Sequence, residues 1–343
     1  MNSALHHEFR PRVRWGVLAT GKIARRFATE LALVPDAELV AVGSRSQASA
    51  GSFAATHGGR AHTGYDSLVA DPNVDVVYVA SPHGQHLEHA RLALQAGKHV
   101  LCEKPLTVTV AQAEALMSVA REHDRFLMEG MWTACHPVVR TLAEGLRTGR
   151  WGRPRHLHAE LGFRVDAGAT DRMLDPALGA GALLDMGIYP LTVAHLLLGE
   201  AESLHAVADL SGRGIDLDIA LVGRYPGGVL ATMTASMTSW SSRAAAIATD
   251  RGRIDIDDFH HPTRATFTSF DEGGSNDADR RAEPELIEGA EPVIGIGFGN
   301  EIAEVHRCLR AGLRESPLVP HAQTLTLMRQ MESLLASVGV TYA

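Results

Sequence analysis

The sequence predicts an α/β protein: a doubly wound parallel sheet, then a second α/β region built on a large, mostly antiparallel sheet. Three observations carry this. Short apolar runs alternate with amphipathic segments over the first 130 or so residues. Beyond about residue 150 most strand-like runs follow one another with short connections, several through tight turns such as Tyr225-Pro226-Gly227-Gly228. A glycine-bearing turn, Ala19-Thr20-Gly21-Lys22-Ile23-Ala24, separates the first apolar run from the first amphipathic segment. Parallel strands are covered on both faces and need helical crossovers, whereas antiparallel neighbours need only turns.

In the first region, residues 13–18, 37–44, 74–80, 99–102 and 126–129 read as strands. Helical patterns occupy 23–34, 48–57, 85–96 and 110–123. Period-2 or continuous apolar runs mark the former, and a 3.6-residue period marks the latter. In the second region, 155–163, 203–210, 217–225, 229–238, 245–256 and 263–270 read as strands. Residues 181–198 and 300–312 read as helices there, and the acidic, Gly-rich stretch 271–279 as a surface loop. A last helix, 323–338, is placed to pack back on the first region. The expected domains are residues 1–134 and 135–343.

Composition narrows the function. Among 343 residues, 45% are hydrophobic and 21% charged, as in ordinary globular chains. A net charge of -8 leaves no footprint for nucleic acid or an anionic membrane. No 18-residue apolar run suggests a membrane span, and MNSALHHEFRPR lacks the apolar core of a signal peptide. Cys102, Cys135 and Cys308 are odd in number and far apart. They suit a reducing cytoplasm rather than a disulfide framework.

The glycine-bearing turn matches GxGxxG with alanine in the first and third places. That pattern brings backbone close to a pyrophosphate at a helix N-terminus, whose free N–H groups bind anions. Ala19, Thr20, Gly21, Lys22 and Ile23 are the candidate contacts. The second strand ends in Ser44 and Arg45, where an NAD site tends to carry Asp or Glu for the ribose hydroxyls. A hydroxyl and a guanidinium suit a 2′-phosphate, so the expected cofactor is NADP, with NAD second.

SPHGQH at 81–86 and AGKHVLCEKP at 96–105 resemble the glucose–fructose oxidoreductase / inositol dehydrogenase / rhizopine-catabolism (Gfo/Idh/MocA) family. EGMWT at 129–133, GAGALLDMGIYP at 179–190 and RCLRAGL at 307–313 are similar to its branch of dimeric dihydrodiol dehydrogenases and NADP-dependent xylose dehydrogenases. The likeness runs from about Val13 to Val338. It implies a Rossmann domain and a C-terminal α/β domain whose open sheet face forms a homodimer or a dimer of dimers. It implies hydride transfer between nicotinamide and the carbinol or carbonyl carbon of a small cyclic polyol, a sugar or a trans-dihydrodiol. It also places Ser81, Pro82, His86, Glu103 and Lys104 beside the cofactor, and makes Lys104, Asp185 and Tyr189 the catalytic group. Two other readings stay open: an NADP-binding regulator without turnover, and an enzyme whose tightly bound cofactor is recycled internally.

The residues suit that chemistry. Oxidising an alcohol releases a hydroxyl proton as hydride leaves carbon. Tyr189 is the candidate acid/base. Lys104, one of only three lysines, ends an apolar strand where α/β sheets bind ligands. Its ammonium is expected to favour the phenolate and lower the Tyr189 pKa. Asp185, four residues before Tyr189 on one helix face, is expected to orient substrate or Lys104. Pro190 predicts a bend just past Tyr189. Trp132, after the last parallel strand, and Arg164 are candidate substrate contacts. His83, His86 and His89 lack a carboxylate or cysteine to complete a metal set, so no metal is expected.

Overall fold

The computed structural model describes residues 12–166, 172–270 and 282–342. The first eleven residues and the expected loop 271–279 lie outside them. The first sheet comprises β1 (Val13–Leu18), β2 (Ala37–Ser44), β3 (Arg60–Thr63), β4 (Val76–Val79), β5 (His99–Glu103) and β6 (Leu127–Gly130). All pair in parallel, in the order β3-β2-β1-β4-β5-β6. Their crossovers contain α1 (Lys22–Leu31), α2 (Gln47–His57), α3 (Tyr65–Val69), α4 (His86–Gln95) and α5 (Val110–Glu122). Every residue of β4 is buried, as a strand covered on both faces must be. Strand order reverses between β1 and β4, so a crevice opens at their carboxyl ends.

Helices α6 (Trp132–Cys135) and α7 (Pro137–Arg147) lead into the second sheet, and the expected boundary at 134/135 falls inside α6. That sheet comprises β7 (Pro154–Gly162), β8 (Ser203–Leu210), β9 (Asp216–Tyr225), β10 (Val229–Ser236), β11 (Ala245–Thr249), β12 (Gly252–Asp257), β13 (Arg264–Ser269) and β14 (Glu285–Leu286). The order is β14-β13-β12-β11-β7-β10-β9-β8, antiparallel except for the β7–β10 pair. The expected single strand 245–256 is a hairpin. Thr249 Oγ1 accepts the N–H groups of Arg251 (3.2 Å) and Gly252 (3.1 Å) and turns the chain back. β3 and α7 were not expected: Arg60-Ala61-His62-Thr63 is too short and polar to signal a strand, and α7 opens on Pro-Val-Val, poor helix formers.

Helix α8 (Ile188–Leu198) lies on β7 and β10. It ends the apolar stretch Pro176–Leu198, long enough and apolar enough to cross a membrane but 78% buried inside the protein. Here it is a core segment. The last helices, α9 (Phe298–Arg310) and α10 (His321–Ser337), return to the first sheet. Phe298 meets Phe27 of α1 edge to face, and Trp15 Nε1 donates to His306 Nε2 across 2.9 Å. α10 packs on α5, with Arg329 and Glu114 paired at 2.9 Å.

Candidate active site

A cleft of about 1280 Å³ runs from the carboxyl ends of β1 and β2 to the face of the second sheet. At one end, Ala19, Thr20, Gly21, Lys22 and Ile23 line it. Ala19 sits at φ +78°, where a side chain is uncommon, and its N–H bonds to Gly43 O at 3.0 Å. Gly21 begins α1 without a side-chain cap, and a Cβ there would point into open space. The leading N–H groups of α1 are therefore reachable by an anion in the cleft. Ser44 and Arg45 line the same end, joined by Arg26, Ser46 and Ser49. Ser46 caps α2 through the Ser49 N–H (3.2 Å) and its hydroxyl bonds the Ser49 hydroxyl at 2.9 Å. That capping spacing, Ser46 to Ser49, is legible in the sequence. The backbone turn and hydroxyl–guanidinium wall fit a dinucleotide with a 2′-phosphate.

At the other end the structure gathers Lys104, Asp185, Tyr189 and Trp132. The helix carrying Asp185 opens into a wider turn at Leu183–Gly187, with Ile188 N bonded to Leu183 O five residues back. The irregularity thus lies before Tyr189 and not after it. Pro190 has no N–H for the carbonyl of Asp185 or Met186. Lys104 Nζ supplies a donor to Asp185 O at 2.6 Å. The expected Lys104–Asp185 contact therefore runs through the main chain. The Asp185 carboxylate instead faces Arg172 (3.5 Å) and His83 (3.7 Å), and its Oδ2 is buried without a partner among the described residues.

Tyr189 accepts a hydrogen bond from Trp132 Nε1 at 3.1 Å. Lys104 Nζ lies over its ring, 4.8 Å from the centroid, and the His260 ring packs edge-on at 5.2 Å. Burial first, then Glu103, pushes the Tyr189 phenol well above its usual range, against the Trp132 bond. The expected lowering by Lys104 is overturned. Its ammonium addresses the ring face and the Asp185 carbonyl, and loss of solvent dominates. Burial also pulls Lys104 down, against Asp185 and Glu103. Glu103 is buried, accepts from the Tyr78 hydroxyl, and takes the Lys104 N–H at 3.2 Å.

Ser81 and Pro82 line the cleft after β4, but His86 does not. It is fully buried, with Nδ1 at 2.9 Å from Pro105 O and Nε2 at 2.8 Å from Ser81 O. It braces the wall behind the cofactor residues. His83 and His89 are likewise spent on Gly179 O (3.1 Å) and the Ser81 hydroxyl (2.9 Å). Arg164 reaches only the rim, exposed and paired with Asp166 at 2.7 Å. Arg172, Arg243 and His260 were missed because they come from loops of the second region that no motif marks. Asp258, His260 and His261 have ligand atoms within 4.8 Å of one another, but Arg243 occupies the Asp258 carboxylate.

A crevice at the switch point of a doubly wound sheet, with a lysine and a tyrosine at its far end, defines a nicotinamide-dependent oxidoreductase. Residues 13–131 match the Gfo/Idh/MocA oxidoreductase model with its NAD-binding Rossmann fold, and 139–255 match that family's C-terminal domain. The chain belongs to the Gfo/Idh/MocA oxidoreductase family. It is 34% identical over 337 residues to trans-1,2-dihydrobenzene-1,2-diol dehydrogenase of Mus musculus, covering 96% of this chain and 98% of that one. It is 31% identical to the Homo sapiens enzyme of the same name, with 96% and 98% covered. KijD10, a 3-ketoreductase from Actinomadura kijaniata in complex with NADP and TDP-benzene, is a structural neighbour with TM-score 0.84 and 27% identity, covering 97% and 99% of the two chains.

Proposed function

We propose that this chain is an NADP-dependent dehydrogenase or reductase acting on the carbinol or carbonyl carbon of a small cyclic polyol, a sugar or a trans-dihydrodiol. The convergence of Lys104, Asp185 and Tyr189 at the carboxyl end of β5, in one cleft with the Ala19–Ile23 turn, carries this reading. The named activities of the relatives and the NADP in the Actinomadura neighbour agree with it. A bound nicotinamide would supply the hydride exchange.

The chain's own residues manage the proton and the substrate. Tyr189 exchanges a proton with the substrate oxygen, and its raised pKa keeps it protonated and ready to donate in the reductive direction. Trp132 Nε1 holds that hydroxyl and stabilises its oxygen when the proton leaves. Lys104 stabilises negative charge on the substrate oxygen while fixing the Asp185 main chain. The Asp185 carboxylate holds Arg172, 3.5 Å away, in the cleft wall, where its guanidinium meets a substrate hydroxyl. Ser44 and Arg45 take the 2′-phosphate.

The test is absorbance of reduced nicotinamide with NADP and a panel of sugars and diols. Net reduction with at least one of them supports the reading. Product without net reduction points to internal recycling, and neither points to a regulator. We further propose a homodimer or dimer of dimers through the open face of the second sheet. Adjacent strands there present His205, Val222, Thr232 and His158 in one row, and Val222, Val207 and Leu230 are 53%, 71% and 45% exposed. Light scattering with Val222→Lys tests it. A cytoplasmic setting is proposed on the three free, buried thiols, Cys102, Cys135 and Cys308.

A further inference from the structure

The segment that presents Asp185 and Tyr189 is held from outside its own helix. Asp216, at the start of β9, accepts the Leu183 N–H through Oδ2 at 2.6 Å. Tyr342, beyond α10, donates its hydroxyl to Ala180 O. Between these anchors Gly181 adopts φ +151°, and a Cβ there would fall against both Asp216 Oδ1 and the Tyr342 hydroxyl. Gly181 O in turn accepts the Asp185 N–H at 3.0 Å, and Lys104 fixes Asp185 O. Two side chains distant in sequence thus close on the four-residue stretch 180–183, at the entry to the wider turn that aims Asp185.

We propose that Asp216 and Tyr342 form a clamp that sets the position of Asp185 and Tyr189 relative to Lys104, making both positioning residues for the reaction proposed above, on which this inference rests.

The clamp is built against stability. Asp216 is fully buried, and its Oδ1 has no partner among the described residues. Burial pushes its carboxyl up to about 6, against the Leu183 N–H, with Asp185 adding to the rise. Asp185 on the catalytic segment and Tyr342 are the titratable groups facing it. A folded-state pKa above the unfolded value means that ionisation is penalised, so stability is lost as pH rises from the unfolded value through about 6.

Four variants of the full chain test this: Asp216→Asn, Asp216→Ala, Tyr342→Phe, and Asp216→Ala with Tyr342→Phe. Asp216→Asn keeps an acceptor for Leu183 N–H and removes the buried charge. It is expected to raise Tm at pH 7.5 and retain kcat within about threefold. Asp216→Ala is expected to lower kcat about tenfold or more, with the NADP dissociation constant unchanged and KM moved less than kcat. Tyr342→Phe should lower kcat less, and the double variant should fall short of the product of the single effects because both act on one segment. Hydrogen exchange of the 180–189 amides, faster in Asp216→Ala, reads the clamp without turnover. If wild type turns nothing over, the functional reading fails while the exchange result still decides the clamp. Folded Asp216→Ala with wild-type kcat, or with unchanged exchange at 180–189, overturns it.

Discussion

Lys104 Nζ bonds the main-chain carbonyl of Asp185, not its carboxylate, across 2.6 Å. One ammonium therefore joins the carboxyl end of β5 to the irregular helix start from which Tyr189 projects. The carbonyl needs that donor because Pro190 cannot provide one. Lysine suits the position because its compact head can turn three donors between a carbonyl, a ring face and a substrate oxygen.

Lys104→Ala and Tyr189→Phe should each lower kcat by about 10²–10⁴, the usual weight of a positioned acid/base group. The NADP dissociation constant, read by fluorescence titration, should stay within about threefold. Near wild-type turnover in both variants would remove the assigned roles.

Trp132→Phe deletes the donor that holds the Tyr189 hydroxyl and opposes the rise in its pKa. The alkaline limb of the kcat–pH profile should move to higher pH, and kcat should fall. A limb that stays in place would show that another group sets it.

Arg45→Asp replaces a guanidinium at the end of β2 with a carboxylate. The ratio of NAD to NADP dissociation constants should fall by about 10–100-fold, equivalent to about 1.4–2.7 kcal/mol. Preference is read from parallel titrations, and an unchanged ratio would place the 2′-phosphate elsewhere.

Acid should destabilise the fold before it protonates most carboxylates. Burial holds His83, His99, His136 and His306 down to about 4, and His86 to about 3. In the unfolded chain they take protons near the ordinary value of about 6.5, so stability rises with pH across this window and is lost as pH falls from 6.5 towards 4. Each accounts for about 3 kcal/mol or more, and the carboxyls of Asp216, Glu103, Glu129 and Glu301, raised by burial, oppose the trend. Urea midpoints at half-unit steps of pH should trace that loss. A flat profile from 7 to 4.5 would contradict it.

The first sheet was legible, apart from its short polar edge strand β3, because its other strands are mostly apolar and its turn chemistry is local. Lys104, Asp185 and Tyr189 lie in contiguous motifs, and the cleft assembles all three. Less visible was what depends on the meeting of distant segments. Nothing near His86 announces two carbonyl partners, and nothing near His260 announces Tyr189. Nothing near Leu183–Gly187 announces the contacts that Asp216, Tyr342 and Lys104, from three other places in the chain, make to Leu183, Ala180 and Asp185. The Tyr189 pKa went the other way from expectation because a charge pair can be guessed from sequence, while the solvent removed around it cannot.

Since α9 and α10 complete the first layer, the second sheet is connected as an insert within it. Recombination between relatives should respect that wiring. A chimera with one crossover after α6 would exchange α9 and α10 as well, and sever Trp15–His306 and the Thr324–Glu129 bond of 2.8 Å. Two crossovers, one before α7 and one between β14 and α9, would move the substrate-facing sheet as a cassette and leave the nucleotide layer with its own native cover.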